Sequence, residues 1–170
     1  MASSFPHAMQ SAGILNPARE STKVRYSKIY NQHSHRIYSL AFWMTDNELL
    51  ADELASNTFL RAFSGPKAPE TEQIDAAFLA EVRDYTTIGT LTLNVAAEPE
   101  TRTIRGNVKR VHLERAVVQL PATERLIFLL HDVESYEHER IGRLLGLSAE
   151  ECQLGLHQAR VSIRQSLAKM

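Results

Sequence analysis

The spacing of apolar residues predicts a chain built mainly from helices. From Val24 to Met44, apolar positions recur at the three- and four-residue spacing of one helix face, and neither proline nor glycine interrupts them. These positions are Ile29, Tyr30, Ile37, Leu40, Ala41 and Met44. The turn from Thr45 to Asn47 supplies capping residues, so a second helix is expected from Glu48 to about Phe63. The glycine and two prolines of "SGPKAPE" end it, and a third helix is expected over "ETEQIDAAFLAEVRDY". Its inward positions are expected to be Ile74, Phe78 (or Ala77), Val82 and Tyr85.

The stretch after the third helix has a different character. The sequence "TTIGTLTLNVAAEPETRTIRGNV" is rich in threonine, alternates partly from Thr90 to Val95 and breaks at Pro99. This pattern fits either a short hairpin or an irregular linker. We favour a linker between two helical domains.

The C-terminal part predicts a helix-turn-helix. A short helix over "VHLERAVVQL" ends at Pro121, which suits the first turn of the next helix, "PATERLIFLLHDV". A further helix over "SYEHERIGRLLG" is followed by a tight turn and a last helix from Ala149 to about Ala168. Ser148 and Glu151 have the spacing of a capping box, which marks the start of that helix. The inward stripe of the last helix is expected to be Cys152, Leu156, Ala159, Ile163 and Leu167.

Composition and charge limit the function classes. The chain has 170 residues, of which 44% are hydrophobic, and this suits a soluble protein with one or two small domains. The net charge of -1 offers no general attraction for nucleic acid, so any such surface must be local. The single cysteine, Cys152, excludes an internal disulfide and fits a reducing compartment. No apolar run has the length of a membrane span and no signal peptide is evident, so a cytoplasmic protein is expected.

The residues suited to catalysis or metal binding do not form a recognised pattern. His33 and His35 are two positions apart and would face different sides of a helix, while His131 and His138 lie elsewhere in a chain with one cysteine. No glycine-rich phosphate loop, nucleophile elbow or paired-carboxylate pattern occurs. We therefore expect neither a metal site nor a cofactor, and we do not expect an enzyme.

Two segments, in this order, resemble the extracytoplasmic-function (ECF) sigma factors of bacterial RNA polymerase. "YNQHSHRIYSLAFWMTDNELLADELASNTFLRAF", Tyr30 to Phe63, is similar to the start of their region 2, where one helix leads into an acidic "AEDL…TFLRAW" helix. The segment from Leu113 to Leu167 is similar to region 4, with "LPATERLIFLLHDVESYEHERIGRLLGLS" following the pattern "LP…R.VFLL.D.EG.S..EIA..LG.S".

The resemblance implies an all-α fold of two small helical domains. It divides the chain into a flexible N-terminus (1–22), a region 2-like helical domain (23–86), a linker (87–110) and a region 4-like helix-turn-helix domain (111–170). It also implies a sigma factor that directs RNA polymerase to promoters in transcription initiation. The partners implied are core RNA polymerase and promoter DNA, with an anti-sigma protein as a further candidate.

The same resemblance assigns two sets of site residues. In the family, the region 2 helix docks on the largest polymerase subunit, and the last helix binds the −35 promoter element in the major groove. Taken alone, the acidic pattern of the first set indicates an ordinary solvated helix face, and only the region 4 resemblance beside it favours docking. Helical spacing places Gln153, His157, Arg160 and Arg164 on one face of the last helix. The expected polymerase-binding residues are Asp52, Glu53, Asn57 and Arg61, with Leu54 and Phe59 as apolar support. The expected DNA-binding residues are Ser148, Gln153, His157, Gln158, Arg160 and Arg164.

The chain departs from the family pattern in two places. Phe78 and Leu79 match an aromatic-leucine pair in the segment that opens the −10 element, but Asp84 and Tyr85 stand roughly where arginine and asparagine are expected. In the last helix, glutamines replace two basic residues and Gly155 replaces a third. Strand separation and phosphate binding both depend on cations. Because of these departures, the sequence leaves a second function open beside the sigma factor: a degenerate sigma-like regulator or interaction adaptor that no longer opens promoters.

Overall fold

The computed structural model describes residues 17–93 and 108–169, with side chains from Ser21 onward. All regular structure within these residues is helical, which confirms the predicted all-α fold. The helices are α1 (Pro17–Thr45), α2 (Glu48–Ala62), α3 (Thr71–Tyr85), α4 (Arg110–Val118), α5 (Ala122–Phe128), which continues as a π-helical turn (Leu129–Val133), α6 (His138–Leu145) and α7 (Ala149–Ala168).

Helices α1 to α3 form an N-terminal unit around a shared apolar core. The turn between α1 and α2 contains Asp46 at a φ of 51°, and Asn47 caps α2 by accepting a 3.1 Å hydrogen bond from the Leu50 N–H. The inward residues come from all three helices, and they are Ile37, Leu40, Ala41, Met44, Ala51, Leu54, Phe59, Ile74, Phe78, Leu79 and Val82.

Helices α4 to α7 form a C-terminal unit that ends in a helix-turn-helix. Helix α6 stops at Gly146, whose φ of 76° lies in the left-handed region that glycine adopts without strain. The Leu147 N–H returns to the Gly142 carbonyl at 2.9 Å, which closes the turn before α7. The tight turn expected between the last two helices is therefore present.

Residues 86–93, which we call the strap, lead from α3 onto the C-terminal unit. The Gly89 N–H donates to the Thr123 hydroxyl at 3.2 Å, and the backbone N–H groups of Thr92 and Leu93 donate to the Glu124 carboxylate at 2.5 and 2.7 Å. No strand forms in the strap. The remainder of the expected linker, residues 94–107, lies outside the described residues, so the choice between a hairpin and a linker stays untested there.

Three sequence expectations about the N-terminal unit are wrong. Helix α1 begins at Pro17 and not at Val24, because proline is tolerated in a first helical turn and the following residues contain no helix breaker. The earlier part of the expected flexible segment, residues 1–16, is outside the described residues. Tyr85, expected to face inward, is 47% exposed because it is the last residue of α3. Tyr30 is also 47% exposed, and only one face of its ring is covered, by Phe59.

Candidate functional surfaces

Helix α7 is fixed at its start by the predicted capping box. The Ser148 hydroxyl accepts the Glu151 N–H at 3.1 Å, and the Glu151 carboxylate accepts the Ser148 N–H at 2.7 Å. Ser148, one of the expected DNA-binding residues, is exposed, but its side-chain oxygen is engaged in this cap. In this structure Ser148 caps α7 and fixes the position of its first turn.

The outward face of α7 carries the four residues that helical spacing placed together. Gln153, His157, Arg160 and Arg164 are all exposed. The opposite stripe of Cys152, Leu156, Ala159 and Ile163 is buried. The four exposed side chains therefore share a surface of the dimensions and chemistry that could enter a major groove, where glutamine and arginine bind base edges.

Arg160 is held by an acidic residue of the same unit. Its guanidinium donates to both carboxylate oxygens of Asp132, at 2.6 and 3.0 Å. Partial burial acts to raise the pKa of Asp132, but the hydrogen bonds from Arg160 and His131 outweigh it and lower that pKa. Among the described residues, Arg164 has no such ion pair. Arg164 is thus the cation of this face whose charge is not already neutralised.

Gln158 does not belong to the exposed face, contrary to the expectation from the family pattern. It is 8% exposed, and its Oε1 atom accepts no hydrogen bond from any described residue. The reason is its position three residues after Gly155, on the side of α7 that meets the strap and α5. A Cβ atom at Gly155 would lie 2.7 Å from Leu91 Cδ2 and 2.8 Å from Ile127 Cδ1. Gly155, which stands where the family pattern has a basic residue, therefore leaves the space that Leu91 of the strap occupies.

The exposed face of α2 combines acidic and apolar side chains. Asp52 and Glu53 are exposed and Asn57 is half-buried, whereas Leu54 and Phe59 lie in the core at 6% and 5% exposure. The outward side of α2 is therefore polar and its inward side apolar, while polymerase binding by these residues stays a prediction. On the same helix, two large apolar side chains, Leu49 and Leu60, are 80% and 71% exposed.

The two exposed leucines were not distinguished by sequence reasoning. Leu49, Glu53 and Leu60 follow the spacing i, i+4 and i+11 of one helix face, so the leucines flank the acidic residues. The outward face of α2 is therefore amphipathic, with exposed leucine and acidic side chains next to one another. The spacing of apolar residues along α2 does not show which leucines are exposed, because leucine occurs on both the buried and the exposed side of the helix.

Arg61, expected on the docking face, is engaged with α3. Its Nε donates to Glu81 at 2.5 Å, and its Nη2 donates to Asp84 at 3.0 Å. The hydrogen bond with Glu81 is the main cause that raises the pKa of Arg61. Asp84, which stands where the family pattern has a basic residue, thus contributes to the packing of α2 against α3.

The segment of α3 that resembles the promoter-opening segment of the family is covered in this structure. Phe78 and Leu79 are each 1% exposed. Arg83 donates from Nη2 to the Leu144 carbonyl of α6 at 2.8 Å, so the basic group of this segment is also engaged. In this arrangement no aromatic ring of the expected aromatic-leucine pair is available to a flipped base.

The histidines and the cysteine do not form a metal site in the part of the chain that the structure describes. His131 and His138 have ring centroids 4.5 Å apart, but no group of three or more histidine, cysteine and acidic side chains converges there. Burial, and then the charge of Glu151, raise the pKa of Cys152, which keeps this buried thiol protonated and unreactive. Within the same described residues, no helix is both long and apolar enough to cross a bilayer.

Comparison with known proteins supports the resemblance noted in the sequence. Residues 110–163, from α4 into α7, match the family model of sigma-70, region 4. The chain is 27% identical over 159 residues to the ECF RNA polymerase sigma factor SigE of Mycolicibacterium smegmatis, with 85% of this chain and 62% of that protein covered. It is 22% identical over 158 residues to the RNA polymerase sigma factor YlaC of Bacillus subtilis, with 83% and 91% covered. The similarity to ECF sigma factors is thereby confirmed at modest identity, and the match spans less than two thirds of the mycobacterial protein.

Proposed function

We propose that this chain, which is similar to ECF sigma factors along most of its length, directs bacterial RNA polymerase to promoters in transcription initiation. It performs no chemistry itself but serves as a specificity subunit of the polymerase in the cytoplasm. The observation that carries this proposal is the outward face of α7, the last helix of a helix-turn-helix within the segment similar to sigma-70 region 4.

Recognition of the −35 element would rest on few side chains. The major groove of B-DNA admits one α-helix, and Gln153, His157 and Arg164 extend outward along α7. Each phosphate contact requires a cation, whereas Arg160 is already paired with Asp132 and the exposed Glu150 and Glu151 repel phosphate at the start of the helix. We therefore expect weak binding of DNA by the chain alone.

Affinity would then come mainly from the polymerase. The exposed leucines and acidic residues of α2 offer an amphipathic docking face, with Leu49 and Leu60 on either side of Glu53. Docking would hold α7 at the promoter and raise its effective concentration, so a few base contacts would suffice for selection. An anti-sigma protein remains a candidate partner on sequence grounds alone.

The alternative function, an adaptor that no longer opens promoters, is favoured by a specific observation. The promoter-opening segment has Asp84 and Tyr85 where basic and amide groups are expected, and Asp84 is occupied by Arg61. An adaptor of this kind would still bind core polymerase through α2. The two functions therefore differ in transcription and not in binding.

Co-purification combined with run-off transcription separates the two functions. We expect the purified chain to bind core polymerase and to give transcripts from some members of a genomic promoter panel. We expect Glu53→Lys to weaken polymerase binding about tenfold, or roughly 1.4 kcal/mol, because it reverses a charge at the centre of the docking face. Glu139→Lys, the same charge change at an exposed site of α6, is the matched control and should leave binding of core polymerase unchanged.

The outcomes of this experiment assign the function. Polymerase binding without any transcript would favour the adaptor. Absence of polymerase binding by the unmodified chain would refute both functions. Equal losses in the two charge-reversed variants would show that α2 is not the docking face.

Arg164→Ala is expected to reduce the salt dependence of DNA binding more than Arg160→Ala. Removal of one free phosphate-binding cation lowers the slope of log K against log salt by about 1, whereas Arg160 is neutralised by Asp132 before DNA arrives. Fluorescence anisotropy of promoter DNA with the polymerase-bound chain at several salt concentrations measures both slopes. Lys23→Ala removes an exposed cation of α1 and serves as the control. Equal slopes for all three variants would exclude phosphate contact by α7.

A further inference from the structure

Leu154 is a large apolar side chain on the outward side of α7. It is 50% exposed, whereas the buried stripe of this helix lies on the opposite side. The residues in its row along the helix surface have the spacing i, i+4, i+7, i+11 and i+14 of one helix face, and they are Glu150, Leu154, His157, Val161 and Arg164. Leu154 is therefore not part of the core, and it lies within the surface proposed to bind DNA.

The first half of α7 carries neither lysine nor arginine. Gln153, Gly155 and Gln158 stand where the family pattern has basic residues. Gly155 and Gln158 are also buried, so two of these three positions do not reach the surface. A DNA-reading helix contacts base edges mainly with its N-terminal residues, and arginine or lysine at such positions binds guanine. The side chains best suited to guanine are thus missing from this half of α7.

The exposed groups that remain there suit an A·T base pair. In the major groove, adenine presents N7 and its N6 amino group, and thymine presents a C5-methyl group. The amide of Gln153 can bind adenine through two hydrogen bonds, and it has no hydrogen-bond partner in the part of the chain that the structure describes. Leu154 can contact the thymine methyl group, because such a contact removes apolar surface of both groups from water.

We propose that α7 selects A·T base pairs in the −35 element, with Leu154 in contact with the C5-methyl group of a thymine and Gln153 bound to an adenine. The inference rests on the proposed sigma function and names the bases that its DNA-binding surface selects. Leu154 stands where the family pattern has serine, whose hydroxyl can bind either hydrogen-bonding partner on a base edge. Leucine excludes such hydrogen bonds, so it narrows the choice of base without requiring a cation.

Selection from a pool of DNA duplexes tests the class of base. The duplexes carry randomised bases upstream and a fixed sequence downstream, and those bound by the full chain in complex with core polymerase are sequenced. We expect A·T pairs to be enriched in the selected upstream element. With Leu154→Ser, which introduces the residue of the family pattern, we expect the enrichment of thymine to disappear at one position and to persist at the others. An element dominated by G·C pairs would overturn the proposal.

Removal of one methyl group from the DNA tests the contact with Leu154. Uracil has the same hydrogen-bonding groups as thymine and lacks only the C5-methyl group. At the position identified by selection, we expect this replacement to weaken binding of the polymerase-bound chain about fourfold. With Leu154→Ser, thymine and uracil should bind equally. Leu113→Ser makes the same change at a leucine of α4 that is 42% exposed, and this matched control should keep the fourfold preference.

A modified adenine tests the contact with Gln153 in the same way. In 7-deazaadenine a carbon atom replaces N7, so one of the two hydrogen bonds from the glutamine amide is lost. We expect this base to weaken binding about threefold to tenfold at one selected A·T pair, and to have no effect there with Gln153→Ala. Gln32→Ala makes the same change at an exposed site of α1 and should retain the sensitivity to the modified base. Sensitivity that persists in Gln153→Ala would overturn this contact.

The outcomes distinguish failure of the base contacts from failure of the proposed function. Equal affinity for thymine and uracil in a complex active in transcription would overturn the Leu154 contact and leave the function intact. Weaker polymerase binding by Leu154→Ser, with an unchanged thymine preference, would assign Leu154 to a protein contact and also overturn it. If no form of the chain bound polymerase, selection and base replacement would be repeated with the full chain alone at low salt. A thymine preference that depends on Leu154 would then retain the inference and refute the sigma function, and its absence would refute both.

Discussion

Replacement of Glu124 by alanine is expected to lower the free energy of unfolding by about 2–4 kcal/mol. The Glu124 side chain has no solvent exposure, and its Oε1 accepts the backbone N–H groups of Thr92 at 2.5 Å and Leu93 at 2.7 Å. Alanine would leave both N–H groups without this acceptor and would open a cavity beneath the strap. Because Glu124 lies in the first turn of α5, its charge also interacts favourably with the helix dipole, and this contribution would be lost too.

Glu124→Gln is the matched control for this prediction. Both backbone N–H groups donate to the same oxygen, so an amide oxygen in its place would retain them, and we expect a loss below about 1.5 kcal/mol. Urea denaturation measures both free energies, and amide hydrogen exchange at Thr92 and Leu93 reports directly on the strap. Equal stability of the alanine and glutamine variants, with unchanged exchange, would show that Glu124 does not hold the strap.

The helices were predictable because their signals are local. Helix α7 runs from Ala149 to Ala168, as expected, since a capping box marks its start and a regular apolar stripe continues to its end. Glu48 was likewise identified as the start of α2 from the capping residues of the preceding turn. The start of α1 was missed although the sequence marks it, because Asn16 is a preferred capping residue type and proline follows it. The expected boundary rested only on where the apolar spacing begins.

The exposed face of α7 was predictable because helical spacing is a local signal. The ion-pair partners of its residues were not predictable, because they lie far away in the sequence. The spacing of Gln153, His157, Arg160 and Arg164 fixes their common face, but nothing near Arg160 in the sequence indicates that Asp132, 28 positions earlier, neutralises it. Gln158 was assigned to DNA by the family pattern, although its helical phase places it beside Gly155 on the side that meets the strap.

The contacts between the two units were outside the reach of sequence reasoning. The hydrogen bond from Arg36 to Tyr136 joins residues 100 positions apart, and the bond from Arg140 to Asp75 joins residues 65 positions apart. Periodicity carries no information about such pairs, and a single sequence offers no covariation. Residues 86–93 appeared to be linker because they lack helical spacing, yet their backbone N–H groups find acceptors in α5.

Arg125→Met is expected to lower the free energy of unfolding by about 2–3 kcal/mol. The guanidinium donates to the Trp43 and Met44 carbonyls at the end of α1, both at 3.2 Å. It also donates to the carbonyls of Val118, the last residue of α4, and of Leu120, which follows that helix. Burial lowers the pKa of Arg125, against the opposing charge of Asp46, but the group stays charged at neutral pH. It therefore satisfies carbonyls at two helix ends, where a cation also complements the helix dipoles.

Methionine retains the apolar stem of Arg125, so the loss reports on the donated hydrogen bonds and not on packing. Arg115→Met removes an exposed arginine of α4 and is the matched control, with an expected change within about 0.5 kcal/mol. Lysine at position 125 should recover only part of the stability, because one ammonium group cannot reach carbonyls on both α1 and α4. Denaturant unfolding of the three variants measures these differences. If Arg125→Met were no less stable than Arg115→Met, the carbonyls at the two helix ends would not depend on Arg125.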